Sequence, residues 1–238
     1  MNPMQRKPAP VLTIDGPSGA GKGTVSSRVA RALGWNVLDS GAVYRTVALA
    51  ALRSNLAPDD EDGLIDLCRD LPLTFQAGEG GIEVLLDGKS IGDALRAEKV
   101  GVMSSQVAAV PAVRSALLDL QRSFRAPPGL VADGRDMGTV VFPNAEVKVF
   151  LDASVAERAR RRFQQLKEKD QLNEQGEDVT FDRLFRDLEE RDRRDRERAV
   201  SPTVAADDAV VVDSTDLTLD EVVERVENLA RRVLASPD

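Results

Sequence analysis

Histidine is absent from the 238 residues, and that absence removes a large share of enzyme chemistry. Ser-His-Asp and Cys-His catalysis, imidazole metal ligation and phosphohistidine are all excluded. Cysteine occurs once, at Cys68, so there is no internal disulfide and no cysteine zinc site. No run approaches the ~18 consecutive apolar residues of a membrane span, and the opening MNPMQRKPAP lacks the apolar core of a secretory signal. The missing signal and the lone cysteine together lead us to expect a cytoplasmic protein. A net charge of −8 argues against a general nucleic-acid binder, while leaving room for a local basic pocket. The chemistry must come from carboxylates, hydroxyls, backbone amides, lysine and arginine. Only seven of the 32 basic residues are lysine. Arginine's planar fork grips phosphate with two hydrogen bonds, although a G+C-rich genome gives the same bias.

The remaining composition, 42% apolar and 30% charged, suits a folded chain of one or two domains whose core needs no staple. Val11–Asp15 reads as a short strand, Gly16–Gly23 as a glycine-rich turn, and Thr24–Leu33 as an amphipathic helix ending at Gly34. Strand, glycine loop and helix open a βαβ unit and predict a parallel sheet. Trp35–Asp39, Leu130–Asp133, Val147–Asp152 and Ala209–Asp213 supply further strands, Gly41–Leu52 a second helix, and Leu219–Leu234 a closing one. Residues 57–99 break the pattern with a polar start and two strand-like runs, Leu73–Phe75 and Ile82–Leu86, which predicts a small antiparallel insertion. Helical character spans about Val100–Phe124. A charge-dominated excursion runs over about 157–198, with a polar interruption at 170–178. The expected architecture is a three-layer α/β core over about 10–56, 100–156 and 199–238, carrying the antiparallel insertion and a helical lid.

The strongest single signal is Gly16-Pro-Ser-Gly-Ala-Gly-Lys22-Gly-Thr24. A helix N-terminus offers unpaired N–H groups and a partial positive charge, glycines let the backbone close around a phosphate, and Lys22 reaches the outer phosphates. The spacing fits G-x-x-x-x-G-K, but Gly23 stands where a hydroxyl is expected and Thr24 comes one place later. Direct Mg²⁺ ligation by the loop is therefore not expected. Phosphate loops bind nucleotides without specifying a reaction. No Asn-Lys pair exists to form the guanine motif of GTPases, and Asp60-x-x-Gly63 lies in a polar segment without a preceding strand. A small kinase fits better than a switch or a motor.

Three further clusters carry charge toward the ends of predicted elements. Asp39-Ser40-Gly-Ala-Val-Tyr44-Arg45 follows the second strand, with Ser40 a plausible helix cap. Ala132-Asp-Gly-Arg135-Asp136-Met-Gly138 concentrates charge where α/β sheets bind ligands. In Glu190–Arg198, helical spacing puts Arg191, Asp195 and Arg198 on one face with Arg194 beside them. Read alone, this last cluster is a solvated helix laced by Glu190–Arg194 and Arg191–Asp195 pairs. Beside a phosphate loop it suits the neutralisation of several phosphates at close range. The residues by themselves leave open the acceptor (AMP, UMP and shikimate are alternatives) and a non-catalytic nucleotide sensor.

The ordered set GPSGAGKGT, DSGAVYR, SQVAAVPAVR, ADGRDMGTVVFP, VFLDAS and ERDRRDRERA resembles the bacterial cytidylate kinase family from about Val11 to the end of the chain. The resemblance implies transfer of the ATP γ-phosphoryl group to CMP or dCMP, with Mg²⁺ held mainly by phosphates and water, in a monomer without nucleic-acid or membrane partners. By matching position it assigns ATP to Gly16, Pro17, Ser18, Gly19, Ala20, Gly21, Lys22, Gly23 and Thr24, with lid arginines Arg158 and Arg162. It assigns the monophosphate nucleotide to Ser40, Arg45, Ser105, Arg114, Arg135, Asp136, Arg191, Asp195 and Arg198. Arg114 and Asp136 resemble the pair that reads the cytosine edge, and Asp195 with Arg191 the sugar contact. Lys22, Arg135, Arg191 and Arg198 are implied in catalysis. Lys167–Asp178 matches poorly, being longer and more acidic than the family pattern.

Overall fold

Asp residues close all five strands of a parallel sheet, and this row of carboxylates sets the edge on which the site is built. The computed structural model describes residues 8–69, 71–168, 179–198 and 200–235. Strands β1 (Val11–Asp15), β2 (Asn36–Asp39), β6 (Leu130–Asp133), β7 (Val147–Asp152) and β8 (Val210–Asp213) form the sheet in the order β2-β6-β1-β7-β8. Every pairing in it is parallel. The inner strands are buried on both faces, which is why they read as nearly continuous apolar runs. Alternate residues point to opposite layers: Val11, Leu38, Leu130 and Ala132 face one core, and Leu12, Ile14, Val37 and Val131 the other.

The second layer is α1 (Lys22–Leu33) and α9 (Leu219–Ala235), which bury Val25, Val29, Val222, Val226 and Ala230 against the sheet. The first is α2 (Ser40–Arg53), α5 (Glu98–Val107) and α6 (Pro111–Ser123), joined by Leu64 of α3 (Glu61–Cys68) and Leu95 of α4 (Gly92–Arg96). The helical character expected over about Val100–Phe124 is carried by two helices, α5 and α6. Pro111 disfavours a helical conformation at Val110 and then occupies the first turn of α6, where its missing N–H costs nothing.

Within 57–99 the two strand-like runs are a longer hairpin, β3 (Leu73–Gly78) with β4 (Gly81–Leu86), extended by β5 (Lys89–Ser90). The hairpin lies against α1, where Ser27 Oγ donates to the carbonyls of Gly78 (2.7 Å) and Gly81 (3.0 Å). The polar segment before it is not all loop. Asp60 caps α3 by accepting from the Gly63 N–H at 3.0 Å, so the Asp-x-x-Gly spacing is a helix start. In the second excursion α7 (Val155–Glu168) and α8 (Phe181–Glu197) pack together. The poorly matching segment lies, from residue 169 to 178, outside the described residues.

Candidate active site

The phosphate loop leaves β1 at Gly16 and enters α1 at Lys22. Gly16 has φ +143°, and a Cβ there would stand 2.0 Å from the Leu151 carbonyl oxygen, so no other residue fits. Lys22 is buried and bends back over the loop, its Nζ donating to the Pro17 carbonyl at 2.9 Å and standing 3.9 Å from Asp133 Oδ1. Burial and the nearby Arg135 lower the Lys22 ammonium, while burial raises the Asp133 carboxyl against the pull of Lys22. Both groups are desolvated ahead of any ligand, where each charge acts more strongly than it would in water.

Arg158 supports the same loop from behind. It is almost wholly buried, donating to Ser18 O (2.8 Å), Ala153 O (2.9 Å) and both oxygens of Asp192 on α8 (3.2 and 2.5 Å). One guanidinium thus ties the phosphate loop to the arginine-bearing helix, at the residue next to Arg191. Arg162 sits one turn further along α7, exposed. A recess of about 370 Å³ opens beside the loop, lined among others by Gly21, Thr24, Arg160, Arg161, Ser214 and Leu217.

The structure brings residues expected for the monophosphate nucleotide together from four segments, α2, α6, the loop after β6 and the end of α8. Arg135 Nε donates to Asp195 Oδ2 at 3.1 Å, joining the loop after β6 to α8. Although burial opposes ionisation, Arg135, Arg191 and Arg198 hold the Asp195 carboxyl below its usual range. Arg191 is lowered by burial first and then by Arg135 and Arg45. The guanidinium groups of Arg45, Arg135, Arg191 and Arg198 thus act on one another and on the carboxylates of Asp133, Asp136 and Asp195. Arg114 on α6 forms a short, buried ion pair with Asp136 and lies over the Tyr44 ring, 5.4 Å from its centroid. Arg198, just past α8, lies near enough to feel Arg114, Asp136 and Arg135, and so bridges the two groups. Among the described residues, Ser105 Oγ, Arg114 Nε and Arg191 Nε are buried polar atoms with no hydrogen-bond partner. Such atoms are costly unless a ligand completes them.

Several details differ from expectation. Ser40 does not cap α2: Asp39 does, accepting from the Ala42 N–H at 2.9 Å, while Ser40 Oγ donates to Gln121 Oε1 at 2.8 Å. Asp195 takes Arg135 as its hydrogen-bonded partner, and Glu190 is gripped by Arg193 as well as approached by Arg194. Sequence reasoning passed over Gln121 and Asp192, both buried polar residues on helix faces, and gave Tyr44 no contact; only an apolar stripe interrupted by Gln121 hinted at them.

Backbone amides at one wall and a cluster of guanidinium groups at the other suit two phosphorylated ligands meeting end to end. That is the class of P-loop phosphotransferases. The family model for cytidylate kinase matches residues 12–232. Relatives named cytidylate kinase include those of Sodalis glossinidius (55% identical, covering 95% of this chain and 97% of that one) and Proteus mirabilis (53%, 94% and 97%). A third, from Aeromonas salmonicida, is 55% identical over 92% of each chain. The chain belongs to the cytidylate kinase family.

Proposed function

We propose that this protein transfers the γ-phosphoryl group of ATP to CMP or dCMP, giving CDP or dCDP and ADP. The observation that carries the reading is the buried Arg114–Asp136 pair, set beside the Arg45, Arg135, Arg191 and Arg198 cluster and across from Lys22. The pair presents a carboxylate to accept from the cytosine 4-amino group and a guanidinium to donate to the ring's acceptor edge. Uracil would turn a carbonyl toward the same carboxylate and be repelled. The Ala108 carbonyl and the Tyr44 ring keep Arg114 in place, Ser105 and Ser40 border the base, and Asp195 with Arg191 meets the sugar.

The acceptor is a phosphate oxygen already largely ionised at neutral pH, so the absence of histidine costs nothing. Transfer rests on alignment of the two phosphates and on charge stabilisation by Lys22, Arg135, Arg191 and Arg198. ATP phosphates occupy the loop from Gly16 to Thr24, and the adenosine end the recess between α7 and the segment after β8. Arg158 serves ATP through the Ser18 carbonyl it holds, and Arg162 from the exposed face of α7. Among the described residues no group of three or more potential ligands gathers for a metal. The residues fit Mg²⁺ carried in on the phosphates, with Asp133 the carboxylate that would face it, and bound Mg²⁺ supplies charge neutralisation there. Among the described residues no helix is long and apolar enough to cross a membrane. A cytoplasmic monomer fits this reading.

The test is ADP production by purified protein with Mg²⁺-ATP and, separately, CMP, dCMP, UMP, AMP and GMP. Rapid turnover with the two cytidine nucleotides alone is expected. Equal turnover with another monophosphate overturns the specificity, and none at all overturns the reaction.

A further inference from the structure

Four of the five strand-end aspartates have local tasks or face Lys22. Asp39 caps α2, Asp152 accepts from the next residue's N–H, Asp213 accepts from Thr215, and Asp133 stands beside Lys22. Asp15 does something else. It is the last residue before the phosphate loop, yet its two oxygens each accept a 2.8 Å hydrogen bond from a distant segment, Oδ1 from Met137 N–H and Oδ2 from Gly138 N–H. These amides open a single turn of π-helix, Met137–Val141, directly after Arg135 and Asp136. Wide helical turns of this kind are uncommon and mark functional sites.

The neighbouring residues are shaped to this contact. A Cβ on Gly138 would stand 2.9 Å from Thr13 Oγ1, 3.2 Å from Lys148 Cδ and 3.3 Å from Asp15 Oδ2, so only glycine lets the turn sit this close to β1. Burying a carboxyl group is expensive, and two amide hydrogen bonds are its compensation. A fold with no use for the link would place an apolar residue here, as it does at the neighbouring Ile14.

We infer that Asp15 is a positioning residue for the acceptor site, fixing through Met137 and Gly138 the loop that aims Arg135 and Asp136. It touches neither nucleotide in this account, which rests on CMP being the acceptor. Its place immediately before Gly16 makes one side chain the brace between the phosphate loop and the base-reading loop, holding the two at a fixed separation.

The test compares wild-type protein, Asp15→Asn and Gly138→Ala by calorimetric titration with CMP and, separately, with a non-hydrolysable ATP analogue, with melting temperature as a check on folding. Asparagine keeps the volume but presents only one acceptor oxygen. Alanine at 138 pushes the turn away without touching the phosphate loop. CMP affinity should fall about tenfold or more in both variants while the ATP-analogue affinity stays within about twofold. The CMP-over-UMP preference should shrink in the same variants, which a general loss of stability would not produce. Wild-type binding of CMP with unchanged CMP affinity in both variants overturns the positioning role alone. Equal losses for CMP and the ATP analogue would reassign Asp15 to the phosphate loop. Failure of the wild-type protein to bind CMP would overturn this inference together with the proposed function.

Discussion

The two walls of the proposed site are built to hold phosphate by different physical means. The wall proposed for ATP is contiguous: nine residues, Gly16–Thr24, present backbone amides and one lysine, and its geometry follows from glycine torsions and a helix start. The wall proposed for the acceptor is dispersed: Arg45, Arg114, Arg135, Arg191 and Arg198 come from α2, α6, the loop after β6 and the end of α8. Backbone donors accept any phosphate and supply little discrimination. Side chains converging from separate elements fix a shape as well as a charge, and that is where a base can be read. The comparison teaches that general phosphate recognition can be built locally, whereas acceptor choice needs the tertiary fold.

The largest expected effect separates the walls. Lys22→Ala should lower kcat about a thousandfold or more, because the charge lost acts on the transferring phosphoryl group. CMP binding should change by only a few fold, and a collapse of CMP affinity in calorimetry would show that the walls are not independent. Arg191→Ala should act the other way, weakening CMP about a hundredfold while ATP-analogue binding holds. A lysine in its place should rescue little, since an ammonium cannot reproduce the fork. Asp136→Ala should leave the phosphate contacts and reduce the CMP-over-UMP ratio of kcat/KM about 10- to 100-fold. An unchanged ratio would remove Asp136 from base recognition.

The smallest effect concerns the seam between the walls. Burial raises the Asp15 carboxyl from the 3.8 of an exposed aspartate to about 7, despite the opposing amide hydrogen bonds from Gly138 and Met137. Between those values the native state keeps a proton that the unfolded chain has released. Its contribution to stability is therefore present below about pH 4 and lost as pH rises to about 7. The D15N variant carries no such ionisation. Its melting temperature relative to the parent should climb from pH 4 to pH 7 and level off above. A flat difference would mean that Asp15 ionises no differently in the fold than in the unfolded chain.

The contiguous wall was legible in the sequence because its determinants are neighbours: strand, glycine loop and helix lie within 23 residues, Val11–Leu33. The parallel strands were legible for the same reason, each being a short apolar run. The dispersed wall was read through family resemblance, since nothing in a linear spacing places Arg114 on Asp136 or Arg135 on Asp195. Contacts that depend on packing alone were missed. Gln121 is an unremarkable polar residue on a helix until Ser40 lies against it, and Asp192 an exposed-looking charge until Arg158 reaches it. Two misses were avoidable. Pro111 announces the break between α5 and α6, and Asp60 announces the start of α3. The strand-final aspartates stood in plain sight as well, but only the fold shows that Asp15 reaches a segment 122 residues away.

The most direct measurement follows the phosphoryl group itself. Purified protein is incubated with Mg²⁺ and ATP labelled at the γ-phosphate, with each nucleoside monophosphate or with water alone as acceptor. The label should appear as the β-phosphate of CDP or dCDP, with little inorganic phosphate released in their presence. Label passing equally into UDP, or released chiefly as inorganic phosphate, would contradict a site whose arginine wall aligns a cytidine nucleotide for transfer.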